Sequence, residues 1–303
     1  MQQLPRSQRR QAPAHRAGAL CVLAAALGLS ACAPRTLLLN SVGDQLAGQA
    51  SAEEDDLVLA REASAFYLKL SESVLREAPD HAALATAVAA GFTQYAYAFV
   101  AMDADRLEGT DARGAQRLRE RAARLYHRGH RHALAALNQR HPGLAAALAQ
   151  PNPTLKLPAE DAALAYWAAA AWGGHIALSK DRPDVVADLP QAVRLAGLAY
   201  AAAPAWGQGD LAALMGTLEA ARPGGQPSAA RAYFEQAQTL GAGRNAGVFV
   251  AQAEALALPA GDRPAFEQLL RQALAAAEQR RDLANQVMRE RAQWLLDTAD
   301  DRF

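Results

Sequence analysis

Cysteine is scarce in this chain: among 303 residues only Cys21 and Cys32 carry a thiol. A multiply bridged scaffold and a cysteine-ligated metal site are thereby excluded. Lysine occurs only at 69, 156 and 180, and arginine supplies the rest of the positive charge. Because 31 basic groups face 31 acidic ones, no single-sign field points to nucleic acid as a partner. Aromatic residues make up 6% of the chain. No stretch alternates as a strand would. There is no nucleophile elbow, His-Glu-x-x-His pair, phosphate loop or calcium loop, so nothing supports catalysis and the chain does not read as an enzyme. No cofactor is implied.

What is present begins at the N-terminus. Arg6, Arg9, Arg10 and Arg16 stand without an acidic residue, the apolar run Ala17 to Leu29 follows, and the small residues Ser30 and Ala31 close the segment. That order is the order of a secretory signal. The apolar run holds 13 residues, short of the roughly 20 that span a bilayer as a helix. Leu29-Ser30-Ala31-Cys32 matches the lipobox of bacterial lipoprotein precursors, and an ordinary secretory signal that happens to end in cysteine is the plainer alternative. On the first reading residues 1–31 are removed and Cys32 is the lipid-attachment site. Ala33 stands where inner-membrane retention usually shows Asp, so a periplasmic, lipid-anchored place at the outer membrane is expected. Loss of four arginines and no acid leaves 27 basic against 31 acidic groups, a net charge of minus four. Residues 32–52 mix a short apolar patch with Gly, Ser, Asn and Gln, which reads as a flexible tether.

From 53 to 303 the pattern is helical throughout. Apolar positions recur at helical spacing from Glu53 to Glu77, while Glu62, Lys69 and Arg76 fall every seven residues on the other face. Pro79 stops that helix, and the next, about Asp80 to Met102, is apolar nearly all round, so burial on most sides is expected. Residues 103–114 read as a polar loop before a helix from about Ala115 to Arg140. A second wholly apolar helix starts near Asp161, and further helices are predicted at roughly 184–203, 208–221, 227–240, 245–258, 262–279 and 282–299. The predicted class is all-α. Prolines 79, 142 and 204 end helices at intervals of 63 and 62 residues. That interval, together with Ala230-x-x-Tyr233-Phe234-Glu235-x-Ala237-x-x-Leu240, suggests stacked helical hairpins, cryptic tetratricopeptide-like repeats forming an α-α superhelix.

Two constellations stand out. His127-Arg128-Gly129-His130-Arg131-His132 is the densest titratable group. Its surrounding arginines repel a cation, so no metal is expected and a solvated basic face is the preferred reading. The aromatics Phe92, Tyr95, Tyr97, Phe99, Tyr166, Trp167 and Trp172 concentrate on the two most apolar helices. Core packing is the ordinary role for such residues, and the wall of an apolar passage is the functional one. Trp206 joins them as a candidate lining residue.

In order along the mature chain, Glu54-Asp55-Asp56-Leu57, Gly91-Phe92-Thr93-Gln94-Tyr95-Ala96-Tyr97-Ala98-Phe99-Val100, Tyr166-Trp167-Ala168-Ala169-Ala170-Ala171-Trp172-Gly173, Leu178-Ser179-Lys180-Asp181, Pro204-Ala205-Trp206-Gly207 and Arg291-Ala292-Gln293-Trp294-Leu295-Leu296 resemble segments of the TRAP transporter T-component lipoproteins, the TatT-like family. The resemblance implies a ring-like homo-oligomer, a homotrimer, with an apolar passage. It also implies partnership with an extracytoplasmic solute-binding protein that feeds a TRAP permease, and a role that shelters an apolar or organic-acid ligand. The alternative from another class is a structural envelope lipoprotein whose helical repeats bind a protein and no small molecule.

Overall fold

The computed structural model describes residues 41–48 and 56–303. The leader, Cys32 and the rest of the expected tether lie outside the described residues. Within that tether, residues 41–48 are helical, Leu46 packs against the main core, and Asp44 stands 3.3 Å from the His81 imidazole.

Among the described residues every regular element is a helix. Helix α1 (Leu57–Glu77) starts where the Asp56 carboxylate accepts the backbone N–H groups of Val58 and Leu59, two of the donors a helix start leaves unpaired. Helix α2 (Ala82–Ala96) runs without a break through a π-helical turn (Tyr97–Ala101) into α3 (Met102–Leu107). After a short turn come α4 (Ala112–Arg140), α5 (Leu144–Ala149), α6 (Ala162–Ala177), α7 (Pro183–Val186) and α8 (Leu189–Ala202). The C-terminal half holds α9 (Asp210–Ala221), α10 (Pro227–Leu240), α11 (Ala246–Gln252) with a second π-helical turn (Ala253–Ala257), α12 (Arg263–Gln279) and α13 (Leu283–Asp297). The expected loop over 103–114 is thus shorter, since the helix continues to Leu107 through the π turn. The expected single helix at 184–203 is two pieces, α7 and α8, each with a proline in its first turn.

The long helices pack mainly on their neighbours in chain order: α2 on α4, α4 on α6, α6 on α8, α9 on α10, α12 on α13. Small side chains make this possible. Ala85, Ala89, Ala133, Ala165, Ala168, Ala169, Ala192, Ala196 and Ala199 are fully or nearly fully buried, and Leu84, Val88, Phe92, Leu137, Leu164 and Leu195 fill the space between them. At one close crossing, a Cβ on Gly129 of α4 would lie 3.0 Å from Phe92 Cβ and 3.1 Å from the Ala89 carbonyl of α2, so a larger residue there would push these helices apart by a few tenths of an ångström. The span Ala82–Leu107 is long and apolar enough to cross a membrane, yet it packs against α1, α4 and α6 as a core helix. A second core gathers Phe249, Val250, Phe266, Leu270, Ala273 and Leu295. Helix α13 packs back on α1.

Candidate functional site

A groove of about 810 Å³ lies between α1, α4, the end of α6 and the segment 182–188, within the size range of small-ligand sites. Helix α4 builds its long wall. Arg121, Arg124, Arg128 and Arg131 recur at spacings of three and four, which puts them on one stripe, and His127 and His130 lie beside it. From α1 come Glu72 and Arg76, from α6 Trp172 and His175, and from the following segment Arg182, Asp184 and Asp188.

Glu72 is the anchor of the α1 wall. It occupies an inward position of an otherwise apolar stripe, four residues after Leu68 and three before Leu75, and is 2% exposed. Arg128 grips its carboxylate through Nε and Nη2 at 2.5 Å each, Lys69 donates at 2.7 Å and His132 lies at 2.9 Å. Burial opposes the charge, but the hydrogen bonds from Arg128, Lys69 and His132 outweigh it and bring the carboxyl down to about 2. Arg128 also lies over the Phe92 ring at 5.0 Å, and His132 stacks on that ring at 6.1 Å.

Beside the arginine stripe lie three imidazoles whose neutral form is favoured. Burial lowers His130 to about 4, although its Nδ1 pairs with the Ala168 carbonyl at 3.2 Å. Burial and the charges of Arg131 and Arg182 lower His127. His175 is lowered by burial and by His127, while its Nδ1 pairs with the Ala123 carbonyl at 3.0 Å. His130 lies 4.3 Å from the Trp172 ring, and His127 lies 4.9 Å from His175, measured between ring centres. Among the described residues, no three His, Cys, Asp or Glu side chains are grouped closely enough to hold a metal ion.

The segment expected as a solvated basic face is thus divided. His130 and Gly129 are buried, His132 is committed to Glu72, and the remainder lines a groove. One local signal pointed this way: an acid, Glu72, among the apolar positions of α1.

The eight candidate aromatics do not share one place. Phe92, Phe99 and Trp172 are buried, at 1%, 7% and 6% exposure, and of the eight only Trp172 borders the groove. Tyr166, Trp167 and Trp206 form a half-buried cluster with ring centres 4.8 Å (Tyr166–Trp167) and 4.5 Å (Tyr166–Trp206) apart, and burial pushes the Tyr166 phenol upward. Tyr95 lies edge-on to Phe99 at 5.5 Å. Tyr97 lies in the first π turn and places its hydroxyl 3.8 Å from Met288 Sδ of α13.

A feature that sequence reasoning missed is the ion-pair junction on Arg291. Its guanidinium donates to Asp105 at 2.7 Å and to Glu254, in the second π turn, at 2.6 Å, while lying over the Trp294 ring at 4.8 Å. Burial opposes this charge, and the two carboxylates hold it in place.

Compared with known proteins, residues 53–303 match the family model described as TRAP transporter T-component. An uncharacterized protein of Treponema pallidum (strain Nichols) is 26% identical over 263 residues, which cover 83% of this chain and 81% of that protein.

Proposed function

Since this chain belongs to the TRAP transporter T-component family, an accessory of a transport system and not an enzyme, we propose that it docks an extracytoplasmic solute-binding protein on the periplasmic side of the envelope. The observation that carries the reading is the match across residues 53–303, the whole helical unit. The N-terminal sequence supports the delivery: residues 1–31 as leader, Cys32 as the acylated anchor and 32–52 as tether, with Ala33 favouring the outer membrane. Two or more acyl chains hold a protein stably where one does not.

Self-assembly into a ring, with a homotrimer as the expected form, belongs to the same proposal. Its support is α1, whose outer face carries the exposed apolar residues Val58 (69%), Leu59 (52%), Phe66 (67%), Tyr67 (44%) and Leu70 (40%). Leu59, Phe66 and Leu70 fall at helical spacing, so they form one stripe on the side away from the buried Leu68 and Leu75. A grouped apolar stripe of this kind marks an interaction face. Stacked tetratricopeptide-like hairpins remain the reading of the architecture, supported by packing between successive helices. The half-buried aromatics Tyr95, Tyr97, Tyr166, Trp167 and Trp206 are the proposed faces of an apolar passage, with Phe92 and Phe99 buried in the core and Trp172 at the groove.

Capture tests the docking. A tagged chain, crosslinked in intact cells of its native host and then purified, should retain the solute-binding protein of a TRAP system. Recovery of other envelope proteins without any such receptor would favour the purely structural lipoprotein instead.

A further inference from the structure

Guanidinium groups in this protein are mostly paired. Arg61, Arg106, Arg119, Arg140, Arg222, Arg263 and Arg291, for example, each lie within salt-bridge distance of a carboxylate. The groove breaks that habit. Of the six arginines that line it, Arg128 and Arg76 face Glu72, and Arg182 pairs with Asp184 at 2.8 Å. Arg121, Arg124 and Arg131 have no carboxylate partner among the described residues. They stand along one helix stripe, where like charges three and four residues apart repel, and the same groove holds imidazoles kept neutral by burial. Positive charge is therefore concentrated in a concave site with too few acids to balance it.

We infer that this groove is a binding site for a small organic anion bearing two or more carboxylate or phosphate groups, held chiefly by Arg124 and Arg131 with Arg121 at the rim. Guanidinium forks match such oxyanions in geometry and charge. The inference concerns the isolated chain and does not rest on the docking of a solute-binding protein. It also differs from the apolar passage, because only Trp172 of those aromatics borders the groove.

A bound polyanion carries a second consequence. His127 and His175 face Arg182 and Asp188 from the segment after α6, Arg131 from α4, and one another, and His130 lies behind them. On the α1 side the facing groups are Glu72 and Arg76, and the Glu72 charge is already satisfied by Arg128, Lys69 and His132. Added negative charge favours the imidazolium form, so a bound polyanion counteracts the burial that lowers His127 and His175.

The test is calorimetric titration of the full chain in mild detergent at physiological salt. The probes are citrate, inorganic phosphate, benzoate as a single-charge control, and a hexaglutamate peptide. Citrate is expected to bind saturably and more tightly than benzoate. The Arg124→Gln/Arg131→Gln double variant changes two exposed side chains. It should keep its helical circular dichroism and lose at least about tenfold in citrate affinity, the equivalent of about 1.4 kcal/mol. Arg231→Gln, an exposed arginine on α10 outside the groove, should bind as the parent does. Independently of any variant, citrate should raise the melting temperature of the parent chain in proportion to its occupancy. Absence of saturable binding by both citrate and phosphate would overturn the inference. Equal weakening by Arg231→Gln would overturn it as well, by showing only diffuse charge attraction. Saturation by hexaglutamate without citrate binding would also overturn it, and would give the groove to an acidic segment of a protein partner.

Discussion

At the scale of single residues, the groove turns on buried titratable groups held in one protonation state. His130 is 6% exposed and its imidazole is lowered to about 4. The unfolded chain protonates this residue near 6.5, so between roughly pH 6.5 and 4 the unfolded state binds more protons and the fold loses stability as pH falls. A shift of that size corresponds to about 3 kcal/mol lost across the window. Glu72 acts at lower pH with the same sign: its folded value of about 2 lies below its ordinary value, so its stabilisation is present above pH 4.5 and disappears as pH drops toward 2. His130→Gln keeps a polar side chain without titration, so its stability measured by urea unfolding should decline less steeply than the parent's between pH 6.5 and 4.5, the remaining decline coming from His127 and His175. An unchanged decline would assign the loss to other groups. The sequence made the arginines and histidines of α4 visible, but not their burial. What hides His130 is α6, thirty-eight residues further along at Ala168, and a contact of that range leaves no trace in local periodicity. The aromatics were legible as large residues on apolar helices, but their division between core and half-buried cluster depends on where α6 and the Trp206 turn come to lie.

At the scale of elements, helix positions were legible because caps and breakers were local. Asp56, Asp111, Asn245, Asp262 and Asp282 each accept first-turn N–H groups, and Pro79 and Pro204 follow helix ends. The π turns were not legible. Each inserts backbone into a continuous helix and shifts its face, which is why the helix from Ala82 runs on to Leu107 through residues that read as a loop. Short α5 also escaped, since six residues carry too little pattern. The two π turns flank one ion-pair junction: Glu254 lies within the second, Asp105 follows the first, and Arg291 of α13 bonds both. Its side chain is 11% exposed, against 31% and 28% for its acids. Removing the cation takes from Glu254 its ion-pair partner and leaves Asp105 with Arg119 at 3.5 Å. Arg291→Met should therefore cost about 3 kcal/mol, the lower end for breaking a buried pair. Chemical unfolding should show that loss, and a change under about 1 kcal/mol, the worth of an exposed pair, would make the junction incidental.

On the scale of the whole molecule, the C-terminal helix closes the structure. Besides Arg291, α13 sends Glu290 to Arg106 at 2.9 Å and Met288 to the Tyr97 hydroxyl at 3.8 Å, and it packs against α1. Helix α1 is thus packed against the last long helix, and its stripe of exposed apolar residues faces solvent. Nothing in the periodicity foretold this closure, because it joins segments some 190 residues apart. The α1 stripe is the proposed self-association face, and a solute-binding protein the proposed partner of the assembly. Sedimentation velocity of the purified chain, alone and with the solute-binding protein of the same TRAP system, tests both at once. The account predicts an oligomer for the chain alone, dissociated by Phe66→Glu, and a heavier boundary containing both proteins when the receptor is added. A monomer that sediments independently of the receptor at micromolar concentrations would contradict it.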